Sequence, residues 1–283
     1  MGRLATTWQL MKDAWGVLMR DKVLVLFPIA SSVACFLVLV TFVVPFVGAS
    51  AAGLHGVLRG TGETVVDAVL FCYYVCNFFV VFYFNAALVD FVVTRLRGGE
   101  PTMNGSLRAA TACLPQIAAW ALISSTAGVI LKALSSRAGF IGRIVISLVG
   151  FAWALVTYFV VPILVIERRG AIESIGESKD LLGKTWGQQI LSGVAYGLIG
   201  FLLALPGVVV LVASLVGLAA SHGSVAGVSV VVTFAAVVYC IALAVVMSTL
   251  RAIFGAVIYL YARTGSAPQG FSAPALRAAI QPG

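Results

Sequence analysis

The chain has 283 residues, of which 61% are hydrophobic and only 10% charged, and its mean hydropathy is +1.08. Soluble domains hold about 45–50% apolar and about 25% charged residues, so a soluble fold is excluded and lipid must solvate much of the surface. The net charge of +8 lies at the ends of apolar runs and comes without any RNA- or DNA-reading motif, which points to anionic headgroups and excludes nucleic acid as a partner.

In residues 4–20, Leu4, Trp8, Met11, Trp15, Leu18 and Met19 fall on one helical arc, while Gln9, Asp13 and Arg20 point away. This pattern predicts an amphipathic interfacial helix, and two tryptophans on its apolar side suit the headgroup boundary. An apolar run over residues 23–47 follows, long enough to cross about 30 Å of hydrocarbon. The Ala49-Ser50-Ala51 triplet behind it resembles a cleavage site. A signal peptide has an apolar stretch of only about 7–15 residues, so the run is expected to be a retained first span.

Five further spans are predicted at 65–93, 114–131, 144–166, 190–218 and 225–261. The last is too long for one crossing at ordinary tilt. It is expected to continue beyond the hydrocarbon, with Arg251 marking the start of the cytoplasmic headgroups; a break near Met247–Thr249 is the alternative. Two more amphipathic segments stand before span pairs. One runs from Met103 to about Leu114, with a start that Pro101 and Gly105 leave open. In the other, Ile172, Ile175, Leu182 and Trp186 oppose Glu173, Glu177, Asp180 and Lys184. A helix before each pair of spans raises a threefold structural repeat as a hypothesis.

Lys and Arg concentrate in the N-terminal segment, the second and fourth loops and the tail. The other side holds Arg59, Lys132, Arg137 and Arg143. The positive-inside rule then places both termini in the cytoplasm of the cell (inner) membrane. The expected organisation is a single membrane domain over residues 1–265 and a cytoplasmic tail over 266–283.

Ionisable groups near spans are the first candidates for function. Asp90 and Arg251 should both sit near the cytoplasmic end of a span, where they either pair or snorkel to the headgroups; snorkelling is favoured. Tyr74, Asn77 and Asn85 share a stripe on the second span, read as interhelical bonding in preference to a solute path. Gly193, Gly197, Gly200 and Ala204 form a small-residue ridge in the fifth span, which Gly207 extends. Close helix approach follows, either within one chain or between protomers. Pro28, Pro45, Pro162 and Pro206 lie in or near spans and tend to bend them.

Cys35, Cys72, Cys76, Cys113 and Cys240 fall inside apolar runs, and His55 and His222 are distant from the Cys72/Cys76 pair. The cysteines read as small apolar side chains, with no metal and no cofactor expected. No serine, glutamate or aspartate motif of an intramembrane protease is present, nor a Cys-x-x-Cys, P-loop or GxGxxG.

Four stretches, Trp8 to Pro28 (WQLMKDAWGVLMRDKVLVLFP), Tyr158 to Glu167 (YFVVPILVIE), Leu181 to Gln189 (LLGKTWGQQ) and Ile258 to Gly265 (IYLYARTG), together resemble a family of bacterial and archaeal membrane proteins catalogued as a domain of unknown function. The arrangement also looks like the membrane domains found beside glycerophosphodiester phosphodiesterases, although no phosphodiesterase domain accompanies it. The resemblance implies a six-span helical protein and supplies no catalytic residues. The expected fold is therefore an all-α, polytopic transmembrane helix bundle. The expected function is non-enzymatic: a membrane-organising or interaction protein whose partners are membrane lipids and either itself or another membrane protein. A channel or transporter for a small solute or lipid is the alternative.

Overall fold

A computed structural model describes residues 3–51, 63–220, 224–274 and 276, with side chains placed for 8–44, 65–183, 197, 199–217, 227–274 and 276. Nine α-helices and no strand occur among the described residues. They are α1 (Arg3–Arg20), α2 (Leu26–Ala51), α3 (Glu63–Leu96), α4 (Met103–Ala112), α5 (Leu114–Arg137), α6 (Phe140–Val156), α7 (Val160–Ile166), α8 (Ala171–Ala220) and α9 (Ser224–Thr264). A 3-10 turn, Lys22–Val25, joins α1 to α2.

Six segments are long and apolar enough to cross a membrane: Lys22–Val44, Val65–Leu96, Leu114–Arg137, Phe140–Ile166, Ile199–Gly217 and Gly227–Thr264. A segment in hydrocarbon has to satisfy its own backbone polar groups, so each is helical. The protein is an all-α, multi-pass membrane protein.

Two features differ from the sequence expectation, and a third, the alternative of a break in the sixth span, is decided against. The fourth span is not one helix; it breaks at residues 157–159, between α6 and α7. The third amphipathic segment is not separate from the fifth span. Both belong to the 50-residue α8, because nothing between Ala171 and Ala220 interrupts the helical pattern and Pro206 is accommodated within it. The sixth span runs through Met247–Thr249 without a break, as one 41-residue helix.

The core sits at one end of the bundle. There the apolar faces of α1, the last third of α3, α7 and the last third of α9 converge, with Leu18, Phe27, Val92, Phe159, Ile163, Ile253 and Tyr259 fully buried. The N- and C-terminal segments meet at this end, where the backbone N–H of Ser272 donates to Asp13 Oδ2 at 3.2 Å. Towards the other end the spans present apolar side chains outward: Phe36 is 62% exposed, Leu148 62%, Phe201 62% and Phe234 70%. In water that surface would be untenable; in lipid it is ordinary.

The amphipathic arc of α1 divides in two. Leu10, Met11, Ala14, Val17 and Leu18 face the protein, whereas Trp8, Trp15 and Met19 face outward. At about 100° per residue these are adjacent sectors, so the tryptophans flank the docked face and do not form it. Thr102 settles the start of α4: its side chain caps the helix by accepting the Gly105 N–H at 3.1 Å.

Antiparallel α8 and α9 form a long hairpin. A Cβ on Gly200 would meet Met247, one on Gly207 would lie 2.5 Å from the Tyr239 ring, and one on Gly217 would meet Ser229. The Tyr239 hydroxyl donates to the Leu203 carbonyl at 2.6 Å. Gly200 and Gly207 of the small-residue ridge thus lie against α9 of the same chain. Gly197 faces open space, so the ridge ends before it, and the packing of Gly193 lies outside the described residues. Ser248, Ala252 and Gly255 face α2, α3 and α7.

Candidate functional site

The break in the fourth span shapes an end of the molecule where polar groups gather. Pro162 has no N–H to offer the Tyr158 carbonyl four residues back. Thr157 and Phe159 leave the helical region, each with ψ near zero. The orphaned groups find a partner on α8: Ser178 Oγ accepts the Phe159 N–H at 3.1 Å and donates to the Val156 carbonyl at 2.5 Å. The turn carries Tyr158 out of register with α6 and aims its hydroxyl at α9, where only a glycine, Gly255, leaves room. A Cβ there would lie 3.2 Å from the phenolic oxygen.

Between α2, α3, α7 and α9 lies a half-open cleft of about 480 Å³. Its apolar walls include Phe27, Val81, Phe84 and Ala256, and its polar groups are Ser31 and Ser32 of α2, Asn85 of α3, Tyr158, and Ser248 and Arg251 of α9. Ser32 and Ser248 donate to carbonyls of their own helices at 2.8 Å. Asn85, Tyr158 and Arg251 hold hydrogen-bond donors that face the cleft, and no ion pair joins Arg251 to any carboxylate among the described residues.

The sequence candidates therefore separate. Asn85 and Arg251 share the cleft. Asp90 does not: its carboxylate meets the Ser106 hydroxyl of α4, and the cations facing it are Arg168 and Arg97. No Asp90–Arg251 ion pair exists among the described residues. Tyr74 lies nearer the far end, where its hydroxyl meets Lys132 Nζ of α5 at 3.5 Å and its ring carries the same ammonium 5.7 Å from the centroid. Asn77 donates to the Tyr73 carbonyl of its own helix at 3.1 Å. Tyr74 thus bonds between helices, Asn77 bonds within its own helix, and Asn85 opens onto the cleft.

A second polar cluster lies at the packed end. Tyr259 Oη donates to Glu167 Oε1 at 2.7 Å, and Arg263 bridges Glu167, at 2.5 Å, and Glu177. Arg169 joins Glu167 at 3.3 Å, Glu177 at 2.9 Å and also Glu173. Burial alone would raise the Glu167 carboxyl, but the Tyr259 hydroxyl and the Arg263 guanidinium outweigh it and hold the group below its usual range. Nearby, Arg95 clamps Asp21 with two bonds of 2.6 Å, fixing the α1–α2 turn to the end of α3.

Sequence reasoning missed Tyr158, Ser178, Glu167, Tyr259 and Arg263. The signal was there in part. Tyr158 and Glu167 begin and end one of the family-like stretches, and Tyr259 and Arg263 belong to another, so the two stretches meet in space. Ser178 gave no signal, since its partners lie 19 and 22 residues away.

No curated protein and no solved structure gives a match, and nothing supports the likeness to phosphodiesterase-linked membrane domains. A model described as a family of unknown function, DUF6159, matches residues 64–270. That interval takes in α3 to α9, three walls of the cleft and the Glu167–Arg263 cluster, and leaves out the Trp8 to Pro28 stretch. Covering well over half of the sequence, the match shows that the chain belongs to the DUF6159 family.

Proposed function

We propose that this is a non-enzymatic membrane-organising or interaction protein of the cell (inner) membrane, with both termini in the cytoplasm, working through lipid at the face where its packed end lies. The make-up of the cleft carries this reading. Its lining contains no His, Cys, Lys, Asp or Glu, so its serines and tyrosine have no base to activate them. Around the packed end, Asp21, Glu167, Glu173 and Glu177 are engaged by arginines, which suits structural cross-linking better than proton transfer. The outward Trp8 and Trp15 on α1 suit a helix lying at the headgroup boundary.

One observation favours a channel or transporter: the interrupted fourth span beside the cleft, since broken helices build transporter sites. Against it, the cleft's polar groups collect at one end of the spans, while Tyr74 and Asn77 are occupied by Lys132 and by their own helix. No polar file through the bilayer follows from that arrangement.

Reconstitution tests the choice. Vesicles carrying the protein should retain an entrapped small fluorophore, and should move a labelled phospholipid between leaflets no faster than protein-free vesicles. Protein-dependent efflux or lipid movement would overturn the non-transport reading.

A further inference from the structure

We propose that the cleft between α2, α3, α7 and α9 is a binding site for one anionic phospholipid, whose phosphate is held by Arg251, Tyr158 and Asn85. The proposal rests on the reading of the protein as one that works through lipid, and deepens it by naming the site and the lipid class.

Depth is the first argument. The apolar run of α9 opens at about residue 225 in the sequence, and at ordinary tilt about 21 helical residues cover the roughly 30 Å of hydrocarbon. That distance ends near Met247. Arg251 is one turn further on, at the level of the lipid phosphates.

Charge is the second argument. Arg251 is exposed, faces the cleft and has no carboxylate partner among the described residues. A guanidinium offers a planar fork of donors that matches phosphate oxygens. The Tyr158 hydroxyl and the Asn85 amide add donors from two other walls, and neither is used by a protein acceptor among the described residues. Three convergent donors without an acidic group make a site for an anion.

Shape is the third. A volume of about 480 Å³ lies in the range of ligand sites, about 300–1,000 Å³, and the cleft is open at its side. Below Ser32, on the same side of α2, come Phe36, Leu39 and Val43, each exposed. A free anion has no use for that apolar row, whereas acyl chains do.

The test uses the whole chain, purified in neutral detergent, stripped of lipid and titrated with phosphatidylglycerol, with phosphatidylcholine of the same chains, and with inorganic phosphate. Bound lipid is counted by native mass spectrometry. The expected result is one retained phosphatidylglycerol, bound at least tenfold tighter than phosphatidylcholine. Arg251→Gln should remove the preference, Arg251→Lys should keep part of it, and Tyr158→Phe should weaken it several-fold. Arg143→Gln, a cation at the opposite end, should change nothing. Equal binding of both lipids, or a preference that survives Arg251→Gln in a folded variant, would overturn the proposal. So would inorganic phosphate competing as well as lipid, which means a free-anion site, or a dimer that hides Arg251, which means that a second copy covers the cleft. Movement of labelled phosphatidylglycerol between leaflets that Arg251→Gln abolishes would support the site while overturning the non-transport reading, so the two fail separately.

Discussion

Ser178 of α8 accepts the backbone N–H of Phe159 at 3.1 Å, and the same hydroxyl donates to the Val156 carbonyl at 2.5 Å. One buried side chain thus satisfies both sides of the break between α6 and α7. Ser174, one turn earlier on α8, is equally buried, yet its hydroxyl has no partner among the described residues. Leaving buried backbone groups unpaired costs about 1–3 kcal/mol, whereas losing an unpaired hydroxyl costs little. Ser178→Ala should therefore lower stability by about 1–3 kcal/mol, and Ser174→Ala should be neutral or stabilising. Thermal midpoints in detergent compare the two.

The glycine ridge makes a similar internal contrast. A methyl group at Gly207 would lie 2.5 Å from Cδ1 of Tyr239, part of a ring anchored by its bond to Leu203. At Gly197 there is nothing within 4 Å. Gly207→Ala should cost about 1–3 kcal/mol through overpacking, while Gly197→Ala should gain about 0.5–1 kcal/mol from reduced backbone entropy. Equal effects would show that α8 and α9 do not meet along this ridge.

Asp90 and Arg251 belong to different neighbourhoods, one with Ser106 and Arg168, the other in the cleft. Stability changes from Asp90→Asn and Arg251→Gln should add to within about 0.5 kcal/mol. Asp90→Asn and Ser106→Ala, which share a contact, should not. A double-mutant cycle on unfolding midpoints separates the cases.

Glu167 gives the packed end a dependence on pH. Burial works against its charge, but Tyr259 and Arg263 prevail, so the carboxyl is more acidic in the folded protein than in the unfolded chain. A group shifted downward stabilises fully above its unfolded value, and the benefit is lost as pH falls through the lower folded one. The wild type should lose stability on acidification from the ordinary glutamate range downward. Glu167→Gln should cost about 1–2 kcal/mol at neutral pH and lose part of that acid sensitivity. An unchanged acid profile in the variant would contradict the assignment.

Which features were legible follows from the range of the forces involved. Long apolar runs fix spans locally, because lipid asks only for length and apolar content, and the six segments lie close to where the sequence puts them. The helix break needs Pro162 and also Ser178 on another helix, so a local reading sees a bend and no site. On α1 the period is legible, but the periodicity of Leu10, Met11, Trp8 and Trp15 is silent on which sector meets protein and which meets lipid. The stripe of Tyr74, Asn77 and Asn85 marks three polar residues on one side of a helix. Only the positions of Lys132, Tyr73 and Arg251 give each a different role. Arg251 stood out from the start as a cation near a span, whereas Tyr158 joins it only through the turn at residues 157–159.

The most direct measurement is an experimental density map of the protein in nanodiscs that contain phosphatidylglycerol, at a resolution where surrounding lipids are seen. The account predicts elongated density in the cleft, with its head within hydrogen-bonding distance of Arg251, Tyr158 and Asn85 and its tails along Phe36 and Leu39. A cleft that holds only water while neighbouring lipids are ordered, or one filled by a side chain or a second protein chain, would contradict it.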